Sequence, residues 1–291
     1  MKTEVGIFLS IIRVKQWIKS LFVFSPLVFS LKLLDPHCLF YATLAFISFC
    51  MASSFVYIVN DILDRERDRM HPVKKNRPIA SGKISVRMSF IISLFFASGA
   101  IFICSQINTP SILILLAYMV MNIIYSLFLK HIVILDVMII AFGFVMRVIL
   151  GTLAIGSSFS NWILITTFFL SLFLGFGKRR QEIDYHHNGR EQLPVLEMYN
   201  IMLLDYFIVI SVSITILTYS LYVIDADTLG KFGTNHLIYT LPFVVYGLFR
   251  YLYLIVKKHI LGDPSEVLLH ETGLIIDVLF WIIAIVIILY L

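Results

Sequence analysis

The sequence predicts an all-α, polytopic membrane protein, and three observations carry that prediction. Apolar runs continue unbroken over helix length, whereas the strands of a transmembrane β-barrel would be short and alternating. Hydrophobic residues make up 59% and charged residues 14% of the 291-residue chain, with a mean hydropathy of +0.93. A soluble domain would carry about 25% charged residues. Finally, the basic residues gather in alternate gaps between the apolar runs, the pattern that orients membrane proteins.

Nine spans follow in order, near 20–35, 38–59, 86–105, 110–129, 134–155, 161–177, 200–223, 237–256 and 273–291. The first is short enough to be tilted or partly interfacial. An odd number of spans places the termini on opposite sides, and charge decides which is which. Of the 23 Lys and Arg residues, all but Lys32, Lys231 and Arg147 lie before the first span, in the stretches 60–87, 178–190 and 250–258, or at Lys130. The N-terminus and the gaps 60–85, 130–133, 178–199 and 257–272 are therefore expected on the cytoplasmic side. Asp225 and Asp227 in the opposite gap agree. Glu4, Arg13, Lys15 and Lys19 interrupt the first residues, so no cleavable signal peptide is expected.

The net charge of +5 and pI near 9.0 could suit nucleic acid. Basic residues confined to loops between spans are better read as orientation signals and anionic-lipid contacts, so no nucleic-acid partner is expected. Cys38, Cys50 and Cys104 fall in or beside spans without CxxC spacing and behave as small apolar residues. No Ser/Gly-rich linker interrupts the chain, and a single integral-membrane domain over 1–291 is expected. The oligomeric state is left open, a homo-oligomer included.

The first cytoplasmic gap holds the most informative stretch, Asn60-Asp61-Ile62-Leu63-Asp64-Arg65-Glu66-Arg67-Asp68. On one continuous helix Asp61, Asp64 and Asp68 would stand at i, i+3 and i+7, on a single face, with Asn60 beside Asp64. Three such carboxylates repel unless a cation lies among them. Magnesium suits that place, because it takes a few carboxylate oxygens and completes its octahedron with water and substrate phosphates. Lys74 and Arg77, just downstream, suit the rest of a phosphate-rich ligand. A solvated juxtamembrane loop explains most charge runs, but it does not explain three acids in register within a basic segment.

A second cluster, Gly177-Lys178-Arg179-Arg180-Gln181-Glu182-Ile183-Asp184-Tyr185, closes span six. Its cations read either as topological anchors or as phosphate ligands, and the nearby acids favour the second reading. Lys178 pairs with Glu182, and Gln181 with Tyr185, at i, i+4. Span five carries Asp136 and Arg147, and an ionisable group that deep faces a bundle interior or a wet cavity. Asn122, Tyr125, Ser126, Lys130 and His131 are candidates for the same cavity. Before span one, Arg13, Gln16, Trp17 and Lys19 form an amphipathic approach in which Trp17 reads as an interfacial anchor; contact with an anionic head group is the secondary reading. Gly262-Asp263-Pro264-Ser265-Glu266 reads as a turn before a helix start.

Taken together, these motifs resemble the UbiA-type intramembrane prenyltransferases. The likeness runs over nearly the whole chain. Asn60-Asp61-x-x-Asp64-x-x-x-Asp68 with Arg77-Pro78 and Ser81-Gly82 is similar to the family's first aspartate-rich motif. Further matches are Arg13-x-x-Gln16-Trp17-x-Lys19, His71-Pro72-x-Lys74, Tyr125-Ser126-x-x-Leu129-Lys130, Leu135-Asp136, Arg147 with Gly151, Gly177-Lys178-Arg179-x-x-Glu182 and Gly262-x-Pro264-x-Glu266. Val14 and Ser20 depart from the pattern, at places where relatives tend to have proline and asparagine. The resemblance implies nine helices around a central cavity open to the cytoplasm, with a magnesium-bridged diphosphate as ligand.

Within the superfamily the likeness is greatest to the branch that transfers phosphoribose to decaprenyl phosphate. Aromatic prenyltransferases usually carry a second aspartate-rich motif where this chain has Lys178, Arg179, Arg180 and Glu182. Cations there suit a donor with an additional 5-phosphate and an acceptor that is itself a phosphate. The resemblance therefore implies phosphoribosyl pyrophosphate as donor, a polyprenyl phosphate (decaprenyl or undecaprenyl) as acceptor and Mg2+ as cofactor, at an inner, plasma-membrane site serving cell-envelope polysaccharide synthesis. Asn60, Asp61, Asp64 and Asp68 are the implied metal ligands, and the three aspartates the catalytic set. Asn60, Lys19, Lys74, Arg77, Lys130, Arg147, Lys178, Arg179, Glu182 and Tyr185 are the implied substrate contacts. Two other readings stay open: prenyl transfer to an aromatic acceptor, and a transporter whose buried charges line a permeation path. The latter would place its charges near the midplane, not at one face.

Overall fold

A computed structural model describes residues 4–186, 194–257, 267 and 270–291; the side chains of 184–186 and 194 lie outside that description, as does the 262–266 turn. Among the described residues eight helices are long and apolar enough to cross a membrane. They are α3 (Pro36–Leu63), α5 (Val86–Ser105), α6 (Thr109–Leu127), α7 (Leu135–Ala154), α8 (Asn161–His186, apolar to Ile183), α10 (Ile201–Ile224), α12 (Leu241–Lys257, preceded by a 3₁₀ turn from His236) and α13 (Thr272–Tyr290). Each falls on a predicted span, and the chain is a multi-pass membrane protein. Short helices α1 (Glu4–Ile11), α2 (Ser25–Val28), α4 (Arg65–Met70), α9 (Pro194–Glu197) and α11 (Ala226–Phe232) occupy the connections.

Helix starts follow capping chemistry. Asp35 accepts the His37 and Cys38 amides ahead of α3, and Ser85, Asn108, Asn200 and Glu271 do the same for α5, α6, α10 and α13. Each such cap satisfies amides that would otherwise end without partners, worth about 1 kcal/mol.

The predicted first span takes a different form. Residues Val14–Phe24 are a 3₁₀ helix of 11 residues, followed by the four-residue α2. Arg13, left-handed at φ 51°, separates α1 from the 3₁₀ helix, and Pro26 starts α2. The segment runs antiparallel to α3. Arg13 meets Asp61 near the C-terminal end of α3, Trp17 Nε1 donates to Ser54 Oγ at 3.0 Å, and Phe24 packs on Phe46 with ring centres 5.3 Å apart. Because a 3₁₀ helix rises ~2.0 Å per residue, the two pieces together extend roughly 28 Å. Gly151 of α7 lies against this segment: a Cβ there would stand 2.1 Å from the Val23 carbonyl oxygen, a backbone atom that cannot yield.

The chain divides into two compact units, one of residues 1–139 and 146–159 and the other of 140–145 and 160–291. The first packs α3 against α5, α6 and the 3₁₀ segment around buried Phe49, Ile58, Leu115 and Leu150. The second packs α8 against α10, and α12 against α13. Large apolar residues such as Phe90, Phe95 and Phe102 on α5 point outward, as lipid contact requires.

Candidate functional site

The acidic motif sits where α3 ends. Asp61 lies in its last turn, Asp64 is its C-cap at φ −88° and ψ 4°, and α4 carries Asp68. This break overturns the expectation of one continuous helix with three carboxylates on one face. Asp61 and Asp68 remain together, whereas Asp64 turns toward α6.

Bases from distant parts of the chain engage all three acids. Arg13 donates through Nη2 to Asp61 Oδ1 at 2.5 Å and through Nε to Oδ2 at 3.2 Å. Arg77 Nη1 bridges Asp61 Oδ1 at 3.0 Å and Asp68 Oδ2 at 2.6 Å. Lys130 Nζ donates to Asp64 Oδ1 at 2.5 Å. The tail after α4 holds Arg77 in place: Pro78, Ile79 and Ala80 are buried, and Arg69 Nε bonds the Ala80 carbonyl at 3.1 Å. His71 Nδ1 accepts the Val73 and Lys74 amides and so turns the chain into the 3₁₀ turn that carries Lys74. Burial pushes the Asp68 carboxyl up, and the Arg77 guanidinium draws it part of the way back.

A cavity of about 310 Å³ opens beside Asp64, lined by Arg67, Ser126, Lys130 and His131 with Leu63 and Leu127. Burial lowers the His131 pKa, and the charges of Arg67 and Lys130 lower it further, so the imidazole is neutral near pH 7. Asn60 and Lys19 are half-buried, the former's carbonyl accepting the Asp64 amide at 2.9 Å. No three of the described His, Cys, Asp and Glu residues converge as a ready-made metal cage. The donor set is nevertheless one for a hard cation: carboxylate oxygens, with the guanidinium of Arg77 already holding positive charge between two of them.

Arg147 is buried within the first unit. Its Nη2 donates to Ser53 Oγ at 3.3 Å and Tyr118 OH at 3.2 Å, and its guanidinium lies over the Phe49 and Tyr118 rings. Hydroxyls and aromatic faces thus solvate a charge deep in the bundle.

The second unit has its own charged cluster at the end of α8. Arg179 Nη1 donates to Glu182 Oε2 at 2.7 Å, and Arg180 Nε to Asp205 Oδ1 at 2.5 Å. Lys178 is half-buried, and the Tyr185 side chain lies outside the described residues. The two clusters invert one another. In the first, Asp61 and Asp68 are the inner members, their side chains 7% and 4% exposed against 20% and 27% for Arg13 and Arg77, although Lys130 at 14% is more buried than Asp64 at 20%. In the second, the bases are inside, with Arg179 and Arg180 10% and 9% exposed against 27% and 44% for Glu182 and Asp205.

Ser126, Lys130 and His131 line one cavity as expected, whereas sequence reasoning missed Arg13 as a partner of Asp61 and Asp205 as a partner of Arg180. Only Arg13 carried a usable signal, a basic residue one turn before an interfacial Trp.

The model of the UbiA prenyltransferase family matches residues 21–266. The chain belongs to that family. Among curated relatives, the decaprenyl-phosphate phosphoribosyltransferase of Mycolicibacterium smegmatis is 29% identical over 97% of this chain and 92% of its own length. That of Corynebacterium glutamicum is 29% identical over 96% and 85%. A UbiA homolog from Archaeoglobus fulgidus bound to GPP and Mg2+ superposes with a TM-score of 0.74 at 19% identity, covering 98% of this chain and 100% of that one. At that identity the likeness establishes the UbiA fold.

Proposed function

We propose that this UbiA-family protein transfers 5-phosphoribose from phosphoribosyl pyrophosphate to a polyprenyl phosphate at the cytoplasmic face of the plasma membrane. The observation that carries the reading is the inversion of the two clusters. Buried carboxylates await a cation in one, and buried guanidiniums await anions in the other. The decaprenyl-phosphate phosphoribosyltransferases among its relatives support phosphoribosyl transfer to a polyprenyl phosphate.

Asp61, Asp64 and Asp68, with Asn60, would hold Mg2+, the metal that the archaeal homolog binds. When bound, the metal supplies neutralisation of the leaving pyrophosphate. The chain's own residues do the rest. Lys130 and Arg67 line a cavity suited to anionic groups, and Lys74 and Arg77 on the tail after α4 are assigned to phosphate. Lys178 and Arg179 are assigned to donor phosphate, and Lys19, Glu182 and Tyr185 to further substrate contact. Arg147 is assigned to the cavity floor. The C1–O bond to pyrophosphate breaks with its electron pair leaving on pyrophosphate. A phosphate oxygen of the lipid forms the new C1–O bond. That oxygen is ionised near neutral pH, so the reaction requires no strong general base, and His131 needs no catalytic role.

The same reading makes residues 14–28 the first of nine crossings, since their ~28 Å extent approaches the ~30 Å hydrocarbon core. The N-terminus is then cytoplasmic, in keeping with the distribution of Lys and Arg.

The deciding experiment incubates purified protein in detergent with magnesium and decaprenyl or undecaprenyl phosphate, offering phosphoribosyl pyrophosphate or geranyl diphosphate with an aromatic acceptor. Mass spectrometry of the lipid extract should find the phosphoribosylated lipid only. A prenylated aromatic product would transfer the assignment to the aromatic branch. Product formed without any gradient also separates an enzyme from a transporter.

A further inference from the structure

We propose that Arg13 is a built-in counter-cation for Asp61. Without metal it occupies the carboxylate that a divalent cation needs. It gives that carboxylate up when the metal binds, and its charge passes to the anionic donor. Metal and donor then bind as a coupled pair. The inference rests on the reading above that Asp61 is a metal ligand.

The geometry sets the problem. Both oxygens of Asp61 accept from Arg13, and Oδ1 accepts from Arg77 as well. With Asp68, this group contains two carboxylates and two guanidiniums and is neutral overall. A divalent cation added to it would leave a net charge of two in a largely buried place, with two guanidinium groups as neighbours. Like charges so close in a medium of low polarity repel strongly. One guanidinium has to withdraw.

Arg13 is the one built to do so. Arg77 holds two acids at once and is fixed by the buried Pro78–Ala80 segment behind it. Arg13 holds one acid and sits at φ 51° and ψ 49°, a left-handed conformation that costs a residue with a Cβ. It also has a second partner, engaged at the same time as Asp61. Its guanidinium lies 4.8 Å from the ring centre of Tyr57, one helical turn before Asp61, and an aromatic face accepts a cation that has lost its carboxylate. Held there, the guanidinium stays beside the site with its charge uncompensated, a condition that an incoming pyrophosphate group relieves. Because coupling free energies are reciprocal, pyrophosphate must strengthen metal binding by the same factor by which metal strengthens pyrophosphate binding.

The test uses the full chain in detergent, Mn2+ as a spin-detectable stand-in for Mg2+, and inorganic pyrophosphate as the anionic probe. Without pyrophosphate, Arg13→Ala and Arg13→Gln should bind Mn2+ at least about tenfold more tightly than the wild type. In both variants the enhancement by pyrophosphate should shrink by a similar factor. Mn2+ binding that is unchanged or weaker in both variants overturns the proposal. A wild-type measurement covers variants that fail to fold: Mn2+ and pyrophosphate must strengthen one another by about tenfold or more, and independent binding overturns it. Mn2+ binding lost in Asp61→Asn but unaltered by either Arg13 variant removes this inference alone. Wild-type Mn2+ binding that Asp61→Asn leaves intact removes the metal reading beneath it.

Discussion

The end of α3 and the end of α8 contain the same ingredients, arginines and carboxylates at the mouth of membrane helices, arranged inside out relative to each other. At α3 Asp61 and Asp68 are more buried than Arg13 and Arg77, with the Lys130–Asp64 pair the exception; at α8 the arginines are more buried than their acids. An ion pair that serves only stability has no need of a preferred inner partner. Removing a charge from water is costly, so the inner member is the one the site requires. Under the function proposed above, the inner carboxylates of the first cluster would serve a cation and the inner guanidiniums of the second would serve anions.

The largest effect that could break this comparison is at Asp61. Asp61→Asn keeps the shape of the side chain but removes a charge that three guanidinium hydrogen bonds converge on. Loss of one metal ligand should remove several kcal/mol of transition-state stabilisation, about a thousandfold in turnover or more. Initial rates at saturating magnesium measure it. A loss below about tenfold would mean that the inner acids of the first cluster do not serve a metal.

Next in size is the second cluster. Arg179→Ala removes an inner cation, and a charge-assisted contact to phosphate is worth roughly 1.5–3 kcal/mol, or about tenfold to a hundredfold in affinity. Phosphoribosyl pyrophosphate affinity, measured by calorimetry, should fall by that amount, whereas Mn2+ affinity without the donor should not change. If Arg179 only anchors topology, neither value moves, because the many other loop cations still orient the chain. If it instead contacts the diphosphate end alone, inorganic pyrophosphate weakens as much as the full donor.

Most of the fold was legible because hydropathy is a local property: eight predicted spans coincide with the long helices to within a few residues, apart from the polar extension of α8 beyond 177. The first span, expected near 20–35, was legible in neither bounds nor form, since the segment packed along α3 is 14–28. Nothing in Val14–Phe24 distinguishes a 3₁₀ from an α-helix, and its extended form lies packed along α3 and against Gly151. The acidic motif was legible from spacing, yet the inference that one face held all three carboxylates assumed a helix that continues. The break at Asp64 sends that residue to Lys130, 66 positions away. Arg13, 48 positions from Asp61, was read as a membrane approach for the same reason: the partners of a charge are set by tertiary packing, which no local window contains.

The smallest expected effect lies within the same motif and sharpens the comparison most directly. Glu66 stands between Asp64 and Asp68 in sequence, but its side chain is 71% exposed and, among the described residues, pairs with neighbours on its own segment, Arg69 at 3.0 Å and Arg65 at 3.3 Å. Exposed pairs of this kind contribute about 0–1 kcal/mol and are screened by salt. Glu66→Ala should therefore keep turnover within about twofold of wild type and leave Mn2+ affinity unaltered. The variant carries the same change in net charge as Asp61→Asn and lies in the same acidic stretch, so a general electrostatic effect of the motif would damage both alike. Only a role that depends on burial separates them. Equal losses in turnover for the two variants would show that acidity of the segment, not the inward position of Asp61, sustains the chemistry.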